Sequence, residues 1–287
     1  MGAQYEPQTF GQPVERNQTS SISRRNPEKY FRPSRLPIKN SLFNNFQFLD
    51  PYYEKNYKEI KLPATLTRTP DETILNYFSI LREAENLTQH QQGGCGTVGM
   101  AKLPYPIAYH FFTKDYQKRV SYHDYLQSFT GIGHINLIKL NRLPDEKDIV
   151  PYFIELETIE GSSKGITYFA YYYGFVQLKK VQGQYKIDQL KLYGEDFLCA
   201  PYHLWQHDAE SVVAIMYGNW CKLIKKQLPT KKVGYVKTID FIGTDGADYR
   251  FIFYQLTNDT HVLISQYIKD SDGNWKSIRI DPMNCLN

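Results

Sequence analysis

Two series of strand-length segments most constrain how this chain can fold. Four segments rich in β-branched and aromatic residues lie between 134 and 197, and four more lie between 234 and 281. Within 152–160 apolar and polar residues alternate, which predicts a strand with two different faces. The segment 165–181 is apolar on both faces, as expected of a central strand that is covered on both sides. Turns that contain Gly, Asn and Asp separate the later segments, so we expect antiparallel hairpins.

A helix is predicted before the first series. Thr69 is a suitable N-cap and Pro70 fits the first helical position. One apolar face is predicted by residues at helical spacing, namely Ile74, Tyr77, Phe78, Leu81 and Ala84. A shorter helix is expected between Ser121 and Gly131, where a capping residue and a glycine mark the two ends.

A second long helix is predicted from Tyr202 to Gln227, before the later strands. At about 100° per residue, its core face comprises Trp205, Ala209, Val212, Val213, Met216, Trp220, Leu223 and Ile224. The opposite face carries His203, His207, Glu210, Ala214, Gly218, Cys221 and Lys225. His203 and His207 are four residues apart and could bind a metal, but we favour a structural junction between two sheet units and expect no metal.

The chain is therefore expected to be an α+β protein with three parts. Residues 1–62 are predicted to form an extended, proline-rich arm that holds ten Lys/Arg and six Asp/Glu, a net charge of +4. Apolar patches within it could still dock on the folded body. Residues 63–201 are expected to form a first domain, and residues 202–287 a second, smaller one.

The order of these elements resembles the nuclear transport factor 2-like (NTF2-like) superfamily. The resemblance covers residues 66–198 and rests on "PDETILNYFSILREAE", "SYHDYLQSFTGI" and the strand series that ends in "YKIDQLKLYGEDF". It implies a cone of helices packed on a curved antiparallel sheet. The stretch 202–287 is similar to a truncated cone or a cystatin-like unit. Tandem cones behind an N-terminal segment resemble assembly subunits of bacterial conjugation machines.

The resemblance implies that a catalytic site, if present, lies on inward-facing positions of the cone. The candidate residues are His123, Asp124, Glu155 and Tyr171. Glu155 and Glu157 share a strand face and could act as an acid and base pair. We favour a structural interpretation, in which both carboxylates are exposed and face lysines on neighbouring strands, such as Lys139 or Lys179.

Other features exclude several classes of function. Gly94, Gly96 and Gly99 match a dinucleotide-binding spacing, but a helix precedes them and prolines follow, so we expect no cofactor. No run of about 18 apolar residues is present, so we expect no membrane span. The N-terminus does not resemble a secretory signal, which predicts a cytoplasmic protein by default, or an envelope protein if an anchor precedes it. The four scattered cysteines favour buried free thiols, with a disulfide as the alternative.

The nature of the partner remains open at this point. Basic and aromatic residues between Arg24 and Lys39 suit nucleic acid, but a solvated or docking arm explains them equally, so nucleic acid is not favoured. The leading expectation is a non-enzymatic binding or scaffold protein that makes protein contacts and self-associates through the aromatic strand 167–178. The alternatives are an enzyme or ligand-binding protein that uses the cone, and a conjugation- or envelope-type assembly subunit.

Overall fold

The computed structural model describes residues 32, 34–40, 48–52, 55–88, 100–195 and 204–286. From Leu36 onward these residues belong to one compact unit. The unit combines short helices with two open antiparallel sheets, which confirms the α+β class. None of its described helices has the length and apolar character needed to cross a membrane. The domain boundaries expected near 62 and 201 stay predictions.

The first sheet has four strands in the order in which they occur along the chain. They are β1 (Ile132–Arg142), β2 (Ile149–Gly161), β3 (Thr167–Val181) and β4 (Gln184–Gly194). All neighbours are antiparallel, and all four coincide with strand-length segments predicted from the sequence. Residues Tyr152, Ile154 and Leu156 of β2 face the helices and are buried in the main core. Phe153 and Glu155 therefore lie on the opposite face of the same strand.

Within the described residues, four α-helices precede this sheet. They are α1 (Pro70–Arg82), α2 (Pro104–Tyr109), α3 (Lys114–Arg119) and α4 (Tyr122–Gln127). The predicted start of α1 is confirmed, because the backbone N–H of Glu72 donates to the hydroxyl oxygen of Thr69 at 3.2 Å. The predicted apolar face is confirmed too, since each of its five residues is at most 1% exposed. The sequence did not predict α2 or α3, both of which are only six residues long.

The described part of the predicted arm docks on the first sheet from residue 36 onward. The side-chain amide of Asn40 donates to the carbonyl oxygens of Phe78 and Ile135 at 3.0 Å each. Its oxygen accepts from the backbone N–H of Leu137 at 2.7 Å. Leu49 and Ile60 are buried in the core. This segment is therefore a strap along α1 and β1, as the apolar patches of the arm suggested.

The second sheet has six strands. They are β5 (Ile224–Gln227), β6 (Lys231–Val233), β7 (Val236–Gly243), β8 (Asp248–Gln255), β9 (His261–Lys269) and β10 (Trp275–Ile278). The order is β10-β9-β8-β7-β5, and β6 pairs with the same β7 as β5. The last four strands confirm the predicted series, whereas β5 and β6 were not predicted.

The long helix predicted over 202–227 is wrong in length and in geometry. A 3-10 turn at Trp205–His207 leads into α5 (Ala209–Val212), which continues as a π-helix over Val213–Trp220. A π-helix bonds each residue to the fifth one before it, so a helical wheel at 100° misplaces its side chains. Tyr217, absent from the predicted core face, is only 2% exposed. Residues 224–227 form β5 because they pair with the edge of β7.

The expectation of free thiols is wrong for two of the four cysteines. Cys221, at the end of the π-helix, forms a disulfide with Cys285, and their Cα atoms are 4.9 Å apart. Cys285 lies in a 3-10 helix (Pro282–Cys285) near the end of the chain. The sequence separation of 64 residues gave no sign of this pairing, because the fold of the second sheet brings the two together. Cys95 and Cys199 lie outside the described residues.

The two sheets contact each other through the faces that point away from their helices. Phe153 of β2 packs edge-on against Tyr254 of β8, with the ring centroids 5.0 Å apart. Leu256, Phe175 and Ile252 extend this apolar cluster. The β8–β9 turn thereby covers the outer face of β1 and β2, and polar residues on that face are buried.

Candidate functional site

A cavity of about 340 Å³ lies between the helices and the inner face of the first sheet. Its helical side is formed by Tyr77, Phe78, Leu81, Tyr116, Tyr125, Ser128 and Phe129. Its sheet side is formed by Ile132, Ile135, Leu156, Thr158, Tyr172, Leu190, Leu192 and Gly194. Ser128, Leu192 and Gly194 are exposed, so the cavity reaches solvent at this rim.

The strand period explains why these sheet residues line one cavity. Leu156 and Thr158 are two residues apart on β2, and Leu156 pairs directly with Tyr172 of β3. Leu190 and Leu192 are likewise two apart on β4, next to β3. Alternate residues of a strand point to the same face, so all five project towards the helices. The wall is therefore a direct consequence of the alternation in the sequence.

The polar groups of the cavity are hydroxyls. The Tyr77 and Tyr125 hydroxyl oxygens are 3.3 Å apart within the wall, and burial raises the pKa of both phenols. The Tyr172 hydroxyl donates to Glu160 at 2.7 Å, and that of Thr158 donates to the same carboxylate at 2.8 Å. Burial and the Glu160 carboxylate raise the pKa of Tyr172. The phenols stay protonated near neutral pH, so no lining residue carries a charge.

The predicted catalytic candidates do not converge, and none of them lines this cavity. His123 and Asp124 are exposed on α4, where the backbone N–H of Asp124 donates to the hydroxyl oxygen of Ser121 at 3.1 Å as part of the helix cap. Glu155 and Tyr171 lie on the opposite face of the sheet and are 0% and 4% exposed. The two pairs therefore belong to different sides of the first sheet.

The expectation that Glu155 and Glu157 are exposed is wrong, since both are 0% exposed. The expected partner is confirmed for one of them: the ammonium group of Lys139 forms an ion pair with Glu155. Lys179 binds Asp188 instead, at 2.7 Å. The sequence missed the burial because the β8–β9 turn, more than a hundred residues away, covers this face.

The turn completes the hydrogen bonds of the buried pair. Glu155 Oε1 accepts from the backbone N–H of Thr257 at 2.9 Å and from its hydroxyl at 2.5 Å. Lys139 Nζ donates to the carbonyl oxygen of Gln255 at 2.6 Å and lies 4.8 Å from the centroid of the Tyr235 ring. The cluster thus ties β1 and β2 to the second sheet, and we call it the sheet junction.

A second carboxyl group belongs to the sheet junction. Burial, followed by the charge of Glu155, raises the pKa of Glu195 to about 9. Its Oε2 lies 3.4 Å from the backbone N–H of Asn258 in the covering turn. Glu195 is therefore protonated at neutral pH, and it adds no charge beside the ion pair of Lys139 and Glu155.

Tyr171 and Glu157 form a separate hydrogen-bonded row beside the junction. The Tyr171 hydroxyl donates to Glu157 at 2.8 Å, and the side-chain amide of Asn136 donates to the same carboxylate at 3.2 Å. The row crosses β1, β2 and β3, because Asn136 pairs with Glu157 and Glu157 with Tyr171. Each polar group orients its neighbour, as expected for a buried network within a sheet.

Of the two histidines that were weighed as metal ligands, His203 lies outside the described residues. His207 is exposed in the 3-10 turn before α5, and its carbonyl oxygen lies 3.2 Å from His261 Nδ1. Within the described ranges no group of three or more His, Cys, Asp or Glu side chains is placed to hold a metal ion.

Comparisons with protein-family models, with curated proteins and with solved structures find no match to this chain. The candidate site therefore rests on its own geometry.

Proposed function

We propose that this protein binds a small, uncharged and largely apolar ligand in the cavity of the first sheet. The observation that supports this proposal is the cavity of about 340 Å³, whose wall is apolar apart from a few hydroxyl groups. Ligand sites are typically concave, mostly apolar and about 300–1,000 Å³ in volume, with a small number of polar groups that fix orientation. The volume lies at the lower end of that range. It suits a molecule of one or two fused rings or a short branched chain.

The chemistry of the wall favours binding over catalysis. General acid and base catalysis uses groups whose pKa lies near the working pH. The phenols of Tyr77, Tyr125 and Tyr172 have raised pKa values and stay neutral, so they serve as hydrogen-bond partners. Ser128 and Thr158 add hydroxyls at the helical and sheet sides of the wall. An uncharged ligand with one hydroxyl or carbonyl group matches this set best.

The expected scaffold function has less support from the described surface. It depended on an exposed aromatic face of β3. Tyr173 and Phe175 of that face pack against the apolar cluster between the sheets, and Tyr171 is buried. Self-association through β3 stays a prediction, and ligand binding, the alternative from the sequence, becomes the leading function.

A titration with an uncharged fluorescent probe tests this function. N-phenyl-1-naphthylamine brightens when it leaves water for an apolar site. We expect saturable binding to the full chain and a loss of affinity of about tenfold, ~1.4 kcal/mol, in Leu192→Trp, because the larger ring fills the rim of the cavity. The matched control is Leu103→Trp, at a leucine of similar exposure that does not line the cavity. Equal probe affinities for the two variants would exclude the cavity as the binding site.

A further inference from the structure

The edge of the second sheet carries a concentrated positive charge. Strands β5 and β6 lie end to end along β7, and we call residues 222–233 the lysine edge. It contains Lys222, Lys225, Lys226, Lys231 and Lys232 and no Asp or Glu. All five lysines are exposed. Lys231 pairs with Asp240 at 3.4 Å. Within the described part of the chain, the ammonium groups of the other four make no ion pair, so the lysine edge presents uncompensated charge.

This charge is local, although residues 63–287 have no net charge. The whole chain has 34 Lys/Arg and 30 Asp/Glu, and residues 1–62 already account for the difference with ten and six. The five lysines of the lysine edge are therefore balanced by acidic residues elsewhere on the fold. A compact group of like charges on a neutral body acts as a local recruitment surface for an anionic partner.

The sheet register places the lysines along one edge. Both β5 and β6 pair with β7, and they cover its two ends. Lys226 lies opposite Ile242, and Lys231 lies opposite Thr238. Ile242 and Thr238 are four residues apart on β7, so these two lysines point to the same face. Lys232 lies opposite Lys237 and points to the other face.

Edge strands often carry lysines simply to prevent pairing with other chains. Protection of that kind does not explain the apolar residues between the lysines. Val233 is 79% exposed and Leu228 is 36% exposed, and Pro229 beside Leu228 is exposed as well. Two solvent-facing aliphatic side chains among five lysines form an amphipathic surface, which calls for a partner that is both anionic and apolar.

We propose that the lysine edge docks the protein on the surface of an anionic lipid bilayer. The lysines contact lipid headgroups, each contributing about fivefold to binding at low ionic strength. Val233 and Leu228 enter the boundary between headgroups and acyl chains, where amphipathic elements bury their apolar face. The assignment is independent of the cavity, which lies on the first sheet.

The composition of the lysine edge favours a bilayer over nucleic acid. Surfaces that bind single-stranded nucleic acid combine positive charge with aromatic side chains on which bases stack. Residues 222–233 contain no aromatic residue and no arginine. Tyr235 lies just beyond the lysine edge. Its hydroxyl donates to the Asn141 side chain at 2.9 Å, and the ammonium group of Lys139 lies over its ring. The side chains beside the lysines are aliphatic, as a lipid interface requires.

Co-sedimentation of the full chain with vesicles tests the proposal. We expect binding to vesicles of phosphatidylcholine and phosphatidylserine, little binding to phosphatidylcholine alone, and release in high salt. The variant Lys225→Glu/Lys226→Glu should bind the anionic vesicles at least about tenfold more weakly. The matched control is Lys102→Glu/Lys164→Glu, which makes the same change in net charge at two exposed lysines away from the lysine edge. It should bind like the unmodified protein.

A further variant tests the apolar part. Val233→Ser should weaken vesicle binding about threefold without changing its dependence on salt, since it removes no charge. Equal losses in the lysine-edge and control variants would overturn the proposal, as would absence of binding to anionic vesicles. Tighter binding to a single-stranded oligonucleotide than to vesicles, with the same dependence on the lysine edge, would also overturn it. All substituted side chains are exposed, and thermal unfolding confirms that the variants are folded.

Discussion

Lys139 and Glu155 form an ion pair whose side chains are only 2% and 0% exposed. They lie opposite each other on β1 and β2, and the β8–β9 turn covers them. Two charges removed from water are tolerated when further hydrogen bonds satisfy them, and Thr257 and Gln255 supply those bonds. The junction of the two sheets is therefore polar at its centre and apolar around Phe153.

Removal of one partner of this pair should be costly. Lys139→Met leaves the Glu155 carboxylate buried without its cation, and we expect the free energy of unfolding to fall by ~3–5 kcal/mol. The double variant Lys139→Met/Glu155→Leu should recover most of that loss. Urea unfolding measures both. The control is Lys118→Met, which breaks an exposed pair with Asp115 and should cost less than about 1 kcal/mol. A loss in Lys139→Met as small as the control's would contradict the role of the junction.

Glu195 should make stability depend on pH. Its pKa is about 9 in the folded protein and ordinarily 4.5, so the folded state binds more protons between these values. The contribution is fully present below about pH 4.5 and is lost as the pH rises towards 9. Glu195→Gln mimics the protonated carboxyl group, so its free energy of unfolding should fall less between pH 5 and pH 9. Parallel curves for the two proteins in urea would show that Glu195 titrates normally.

The disulfide should stabilise the second sheet. It closes a loop of 64 residues, and restriction of the unfolded chain by such a loop is worth about 4 kcal/mol. Addition of a reductant should lower the denaturation midpoint of the unmodified protein. It should leave Cys221→Ser/Cys285→Ser unchanged, because that variant has already lost the bond. A reductant effect of equal size in both proteins would assign the stabilisation to another pair of thiols.

Ligand binding should be insensitive to pH over the range in which the junction titrates. The phenols that line the cavity keep their protons, since burial raises the pKa of Tyr77, Tyr125 and Tyr172. The affinity of the uncharged probe should therefore stay constant between pH 5 and pH 9, with the protein shown to be folded at each pH. A change in probe affinity between pH 5 and pH 9 would show that an ionisable group contacts the probe.

Local patterns predicted much of the fold. The cap at Thr69 and the buried face of α1 depend on residues a few positions apart, so the sequence contains the whole signal. The strands followed from short runs of strand-forming residues for the same reason. The π-helix at 213–220 did not, because its period is not that of an α-helix, and the buried Tyr217 was therefore absent from the predicted core face. The disulfide at its end joins residues that only the tertiary fold brings together.

Less of the candidate site than of the fold could be predicted from the sequence. Phe78 and Leu81 were predicted as core residues, and they are buried, but the same residues also line the cavity. A side chain that packs against another and one that borders a void have the same residue type and the same period. The pairing of Lys139 with Glu155 was predicted as a cross-strand contact. Its burial depends on a turn far along the chain, which no local pattern reports.

The central claim is that a small apolar molecule occupies the cavity of the first sheet. Crystals soaked with a brominated, uncharged naphthalene test it directly, because bromine gives an anomalous signal that locates the ligand. The strongest peak should lie among Phe78, Leu81, Phe129 and Leu190, and it should be weaker in Leu192→Trp soaked at the same concentration. A strongest peak outside the cavity, or no peak within it, would contradict the proposed function.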